Sequence, residues 1–123
     1  MTQSLTTFEI PATMRAAVLR EPGAGLKVET IRTPHPKEGE ILLKVAACGL
    51  CHSDLHVISG AIAFPTPAVL GHEVAGTIVE LGPGNEFTGL QVGQQAAGAF
   101  LMPCGKCAEC ARGHDSCAST SST

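Results

Sequence analysis

Residues 48–56 read CGLCHSDLH, which places two cysteines, two histidines and an aspartate in nine positions. Thiolates, imidazoles and carboxylates are the donors from which proteins build zinc sites, and two cysteines three apart can also cycle as a redox dithiol. A second concentration follows in PCGKCAECARGHDSC (103–117), where Cys104, Cys107 and Cys110 stand three apart and Cys117 comes seven later. Two overlapping C-x-x-C steps can wrap three thiolates around one ion. A fourth, beyond the turn at Gly113, can complete a tetrahedron of sulfurs with no place for water, the pattern of a closed structural zinc site. Disulfides and an iron–sulfur cluster are competing uses of the same cysteines. The tight spacing weighs against disulfides. So does the opening MTQSLTTFEIP, which lacks the basic and apolar regions of a secretory signal.

GHE at 71–73 supplies the donors that the first cluster lacks. Cys51 falls where a strand is expected to pass into a helix, and helix N-termini favour thiolates. Cys51, His72 and the nearby Glu73 carboxylate together form the donor set of a catalytic zinc with an open position. Each also has a plainer reading. A histidine beside glycine commonly caps or faces solvent, Glu73 can be a solvated strand end, and Cys48 with Cys51 can be a dithiol. The strand-to-helix context of a thioredoxin-type dithiol is present, but the rest of that βαβ pattern is not.

These side chains need a scaffold, and the sequence suggests a β one. Residues 1–13 read as a flexible polar lead-in. MRAAVLR (14–20) reads as a strand, EPGAG (21–25) as a turn, and LKVETIR (26–32) alternates as a half-buried strand does. After the proline-rich loop 33–40, ILLKVAACG (41–49) is predicted to be a central strand because it is mostly apolar. CHSDLHVISG (51–60) carries helix signals, with Ser53 as its expected cap and Leu55 and Ile58 three apart. AFPTPAVLG (63–71) is expected to be an extended loop. Strands follow at 73–82 and 94–102, joined by the glycine-rich 83–93. The cysteine lobe at 103–117 is too short and glycine-broken to hold a core, so a bound metal would have to stabilise it, by about 10 kcal/mol in small zinc peptides. The tail 118–123 reads as disordered. Short strands in series suggest an antiparallel sheet or partly open barrel. Glycines 82, 84 and 89 do not have the spacing of a dinucleotide fingerprint.

The composition bounds the function. The chain has 123 residues, enough for one domain, and 44% apolar with 15% charged residues suits a packed one. Fourteen glycines and eight prolines favour short elements and turns. A net charge of −3 with scattered Lys and Arg offers nucleic acid no basic surface. No apolar run approaches the ~20 residues of a membrane span. A soluble, cytoplasmic protein without nucleic-acid or membrane partners is expected.

CGLCHSDLH, then GHEVAGTIVELG, then CGKCAEC occur in the order and near the spacing of one family. The chain resembles the N-terminal GroES-like catalytic domain of the zinc-containing medium-chain alcohol dehydrogenases, over roughly residues 14–117. The resemblance implies a mainly β, partly open GroES-like barrel over 14–102, with one or two short helices, a structural-zinc lobe at 103–117 and no Rossmann domain. It implies Cys51 and His72 as ligands of a catalytic zinc, with Glu73 behind the metal. Asp54 would accept a hydrogen bond from the His72 ring nitrogen that does not bind zinc. Ser53 would take the proton from the substrate alcohol, and His56 would pass it to solvent. His52 would lie near the cofactor phosphates. Cys104, Cys107, Cys110 and Cys117 would hold the structural zinc, and Cys48 would be a buried strand residue. The implied reaction is oxidation of an alcohol to an aldehyde or ketone by hydride transfer to NAD or NADP.

The family's enzymes continue into a nicotinamide-binding Rossmann domain and a third catalytic-zinc ligand. This chain is therefore expected to be a catalytic-domain fragment, inactive alone, holding one zinc tightly in its lobe and self-associating through an uncovered apolar face. It departs from the family in the seven-residue step to Cys117, where eight is usual. It also has Asn85 at a small or branched apolar position, and Gln94 where an aspartate usually follows. A stand-alone zinc-binding interaction module is the alternative. It would leave Ser53, Asp54, His56 and Glu73 without a use.

Overall fold

The structure, a computed structural model, describes residues 7–86, 88–101 and 103–114. The tail 118–123, the first half of the lead-in and Cys117 lie outside the described residues.

The element order is β1 (Thr13–Leu19), β2 (Leu26–Arg32), β3 (Ile41–Gly49), α1 (His52–Ser59), β4 (Ala68–Val69), β5 (Glu73–Leu81), β6 (Gln95–Ala97) and α2 (Ala108–Ala111). The strands form two three-stranded antiparallel sheets, ordered β2-β1-β4 and β3-β5-β6. Among the described residues no ladder joins the two sheets, so the barrel is open. An open cleft of about 790 Å³ lies between them, lined by Met14 and Ala16 from β1, Leu42 and Leu43 from β3, and Val74 and Val79 from β5. Phe8–Pro11 line the same cleft, and the Ala12 carbonyl accepts a hydrogen bond from the Thr33 N–H at 3.0 Å.

The apolar core centres on the middle strand of each sheet. Ala16, Val18 and Leu19 of β1 and Ile78 of β5 are buried. β3 was predicted to be central, but it is the edge of its sheet, and its residues from Lys44 onward are exposed. An apolar run alone does not tell a strand covered on both faces from an edge strand. β4 adds a two-residue pairing inside the expected loop, with Val69 opposite Val18. β6 is shorter than the predicted 94–102, because after the Gly98 N–H bonds the Val74 carbonyl at 2.8 Å the chain leaves the sheet.

Two features fix α1 against the sheets. Its C-terminal turn ends at Gly60 in the left-handed conformation, φ 83°, which glycine adopts without a Cβ penalty. The Gly23 N–H from the β1–β2 turn donates to the Ile58 carbonyl at 2.7 Å. The buried residue of this helix is Asp54, not Leu55, which is 46% exposed. A buried carboxylate on a two-turn helix costs stability unless it is bonded, so its partners should be sought at a site.

Candidate metal-binding catalytic site

β3 ends at Gly49, and two residues later the chain turns into α1 with Cys51 as its N-cap, in extended backbone conformation (φ −89°, ψ 154°). Ser53, predicted to be the cap, instead lies inside the first turn. Asp54 performs the reciprocal cap, accepting the Cys51 N–H on Oδ2 at 3.0 Å. Its other oxygen, Oδ1, stands 3.6 Å from His72 Nδ1. One buried carboxylate thus ties the backbone of Cys51 to the ring of His72. His72 Nε2 faces the other way, 3.5 Å from Ser53 Oγ.

The result is convergent. Donor atoms of Cys51, His72 and Glu73 all lie within 4.8 Å of one another. Thiolate, imidazole and carboxylate are a borderline-soft donor set that suits zinc, and three protein ligands leave a fourth position open. Glu73 gets there by strand register, as the first residue of β5 directly opposite Gly49. The three donors line a cleft of about 510 Å³, together with Ser53, Val74, Ala97, Gly98 and Phe100. Phe100, 68% exposed, packs its ring 4.7 Å (centroid to centroid) from that of His72. The sequence reading missed Phe100, whose position after a short strand carries no chemical signal. Gly98 offered only a glycine at a strand end.

The other predicted residues are placed as follows. His52 and His56 are exposed on α1, their rings edge to face at 4.8 Å, and neither lines the cleft. Cys48, implied to be buried, is exposed at the end of β3, where it lines the larger cleft. It belongs to an edge strand whose outer half has no cover among the described residues, which accounts for the difference.

Among the described residues the lobe brings Cys104, Cys107 and Cys110 together. The sulfurs of Cys104, Cys107 and Cys110 lie within 4.8 Å of one another, with Cys107 Sγ 3.6 Å and Cys104 Sγ 3.9 Å from Cys110 Sγ. Partial shielding from water pushes the Cys110 thiol above its ordinary value, and its hydrogen bond with Cys107 adds to the shift. Crowded sulfurs favour protons over charge when no cation is near, and a cation reverses that preference. Glycines with positive φ, Gly105 at 69° and Gly113 at 80°, turn the chain around this cluster. The predicted fourth ligand, Cys117, lies outside the described residues.

The alcohol dehydrogenase GroES-like domain family matches residues 37–123, and the chain belongs to that family. It is 42% identical over 99 residues to an NDMA-dependent alcohol dehydrogenase from Amycolatopsis methanolica, covering 80% of this chain and 26% of that protein. Among solved structures, an acetophenone reductase from Geotrichum candidum in complex with NAD superposes with a TM-score of 0.79 at 36% identity, over 94% of this chain and 34% of that one. A cobalt- and zinc-bound thermostable alcohol dehydrogenase from Pyrobaculum aerophilum superposes with a TM-score of 0.77 at 34% identity, over 88% of this chain and 33% of that one. The chain thus spans about a quarter to a third of the length of these relatives.

Proposed function

We propose that this chain is the metal-binding catalytic domain of a zinc-dependent, NAD(P)-dependent alcohol dehydrogenase. The observation that carries the reading is the convergence of Cys51, His72 and Glu73 on one cleft, with Asp54 bonded behind them. Zinc bound there would supply Lewis acidity, easing the loss of a proton from a hydroxyl, and a nicotinamide cofactor would accept the hydride.

The chain's own residues have separate tasks. Cys51 and His72 hold the metal, and Glu73 provides a third donor from the adjoining strand. Asp54 fixes the His72 ring so that Nε2, not Nδ1, faces the cleft. Ser53 Oγ, at the cleft wall, accepts the alcohol's proton as it gives up its own. His56, one helical turn on and exposed, releases that proton to solvent. His52, beside it, is available to an anionic cofactor group. Phe100 and Val74 present apolar surface to the carbon skeleton of a small alcohol or carbonyl compound. The cysteine lobe, with Cys104, Cys107, Cys110 and Cys117, holds a second zinc with a structural role.

Competition titration of the purified chain with a chromophoric zinc chelator tests this reading. Two classes of zinc are expected, the tighter in the lobe. Cys51→Ser should remove only the weaker class and Cys107→Ser only the tighter. Binding of zinc unchanged by Cys51→Ser would sink the catalytic assignment.

A further inference from the structure

Ten described glycines adopt positive φ, and Gly49 is not one of them. Its backbone conformation is open to any residue, so conformational freedom does not explain glycine at the end of β3. Space does. A Cβ built on Gly49 would overlap Glu73 Oε2, and its next neighbours would be Glu73 Cβ at 3.1 Å and Cδ at 3.3 Å. All three nearest atoms belong to Glu73, the residue directly opposite Gly49 in the β3–β5 ladder. Directly opposed residues of an antiparallel pair share a face, so each side chain limits where the other can lie. A glycine within a strand commonly marks a close approach of this kind.

We propose that Gly49 is a positioning residue for the metal site: the missing Cβ lets the Glu73 carboxylate lie across the end of β3, within reach of Cys51 and His72. Among the described residues the Glu73 carboxylate makes no hydrogen bond or ion pair that would hold it there, and Glu73 is exposed. What the fold supplies there is the room that Gly49 leaves beneath it. With alanine at 49, the overlapping atom is the tip of a mobile side chain that has solvent to move into. The carboxylate moves off, the fold survives, and the site drops from three donors to two. The inference rests on the proposed metal site, and it assigns a role to a residue that carries no donor.

Cadmium-113 NMR of the cadmium-loaded chain reads the two sites separately, because thiolate-rich coordination resonates downfield of mixed sulfur, nitrogen and oxygen coordination. In the wild type, a mixed-donor resonance that Cys51→Ser abolishes is expected. In Gly49→Ala that resonance should shift, and cadmium should bind there about 10- to 100-fold more weakly, while the lobe resonance stays in place. In a Glu73→Ala background the same Gly49→Ala change should add nothing further. A wild-type spectrum without the mixed-donor resonance overturns the metal-site reading and this inference with it. A wild-type resonance that Gly49→Ala leaves unmoved, or equal effects of Gly49→Ala with and without Glu73, overturns the inference alone. If Gly49→Ala does not fold, folding of Gly49→Ala/Glu73→Ala supports the proposal, and its failure to fold overturns it.

Discussion

At the scale of single residues, Asp54 carries two jobs that can be separated. Its carboxylate caps α1 through the Cys51 N–H and faces Nδ1 of His72. Asp54→Ala should lower stability by about 1–2 kcal/mol through the lost cap and weaken zinc at Cys51 and His72 by about 10- to 100-fold. Asp54→Asn keeps an acceptor for the cap but no charge for the imidazole. It should recover most of the stability in urea titration and little of the metal affinity. Parallel recovery of both would mean that Asp54 acts through the helix alone. Much of this site was legible in the sequence, because donor atoms are a property of residue type and CGLCHSD and GHE collect them in short runs. The pairing of Glu73 with Gly49, and the ring of Phe100 against His72, were not legible. Both depend on strand register and on where a chain leaves a sheet, which no local pattern encodes.

At the scale of elements, the sequence reading located every strand of four or more residues and misjudged their neighbours. β1, β2, β3 and β5 fall where alternation or apolar runs predicted them, because side-chain periodicity is local. Which strand is central is a long-range fact, and β5 rather than β3 takes that place. The glycine-rich connection after β5 shows how an unusual residue can be structural. Asn85 is buried, and its amide donates to the Glu40 carbonyl at 2.8 Å and the Gly82 carbonyl at 3.0 Å. It thereby ties the connection to the start of β3. Asn85→Leu, which keeps the branching and the number of side-chain heavy atoms, should cost about 1–3 kcal/mol, because it leaves the buried Gly82 carbonyl without this donor. Denaturant unfolding measures this directly. An unchanged midpoint would mean that packing of the side chain, not its amide, holds the connection.

At the scale of the whole molecule, the chain divides into parts held by different forces. The sheets have buried apolar residues in Ala16, Val18, Leu19 and Ile78, and long antiparallel ladders. The lobe has neither. None of its described residues, 103–114, is buried, and its one helix, α2, spans four residues. Isolated helices of that length do not persist in water, so something other than propensity must hold the turn. Three converging sulfurs are the available means, and a cation among them would replace the missing core. No helix among the described residues is long and apolar enough to cross a membrane. Stripping metal with a strong chelator should therefore abolish hydrogen-exchange protection in Ala108–Ala111 while leaving β1 and β5 protected. Cys107→Ser should reproduce that pattern without chelator. Loss of protection spreading to β5 on the same timescale would show that the lobe and sheets unfold as one unit, and that the proposed structural metal supports the whole domain.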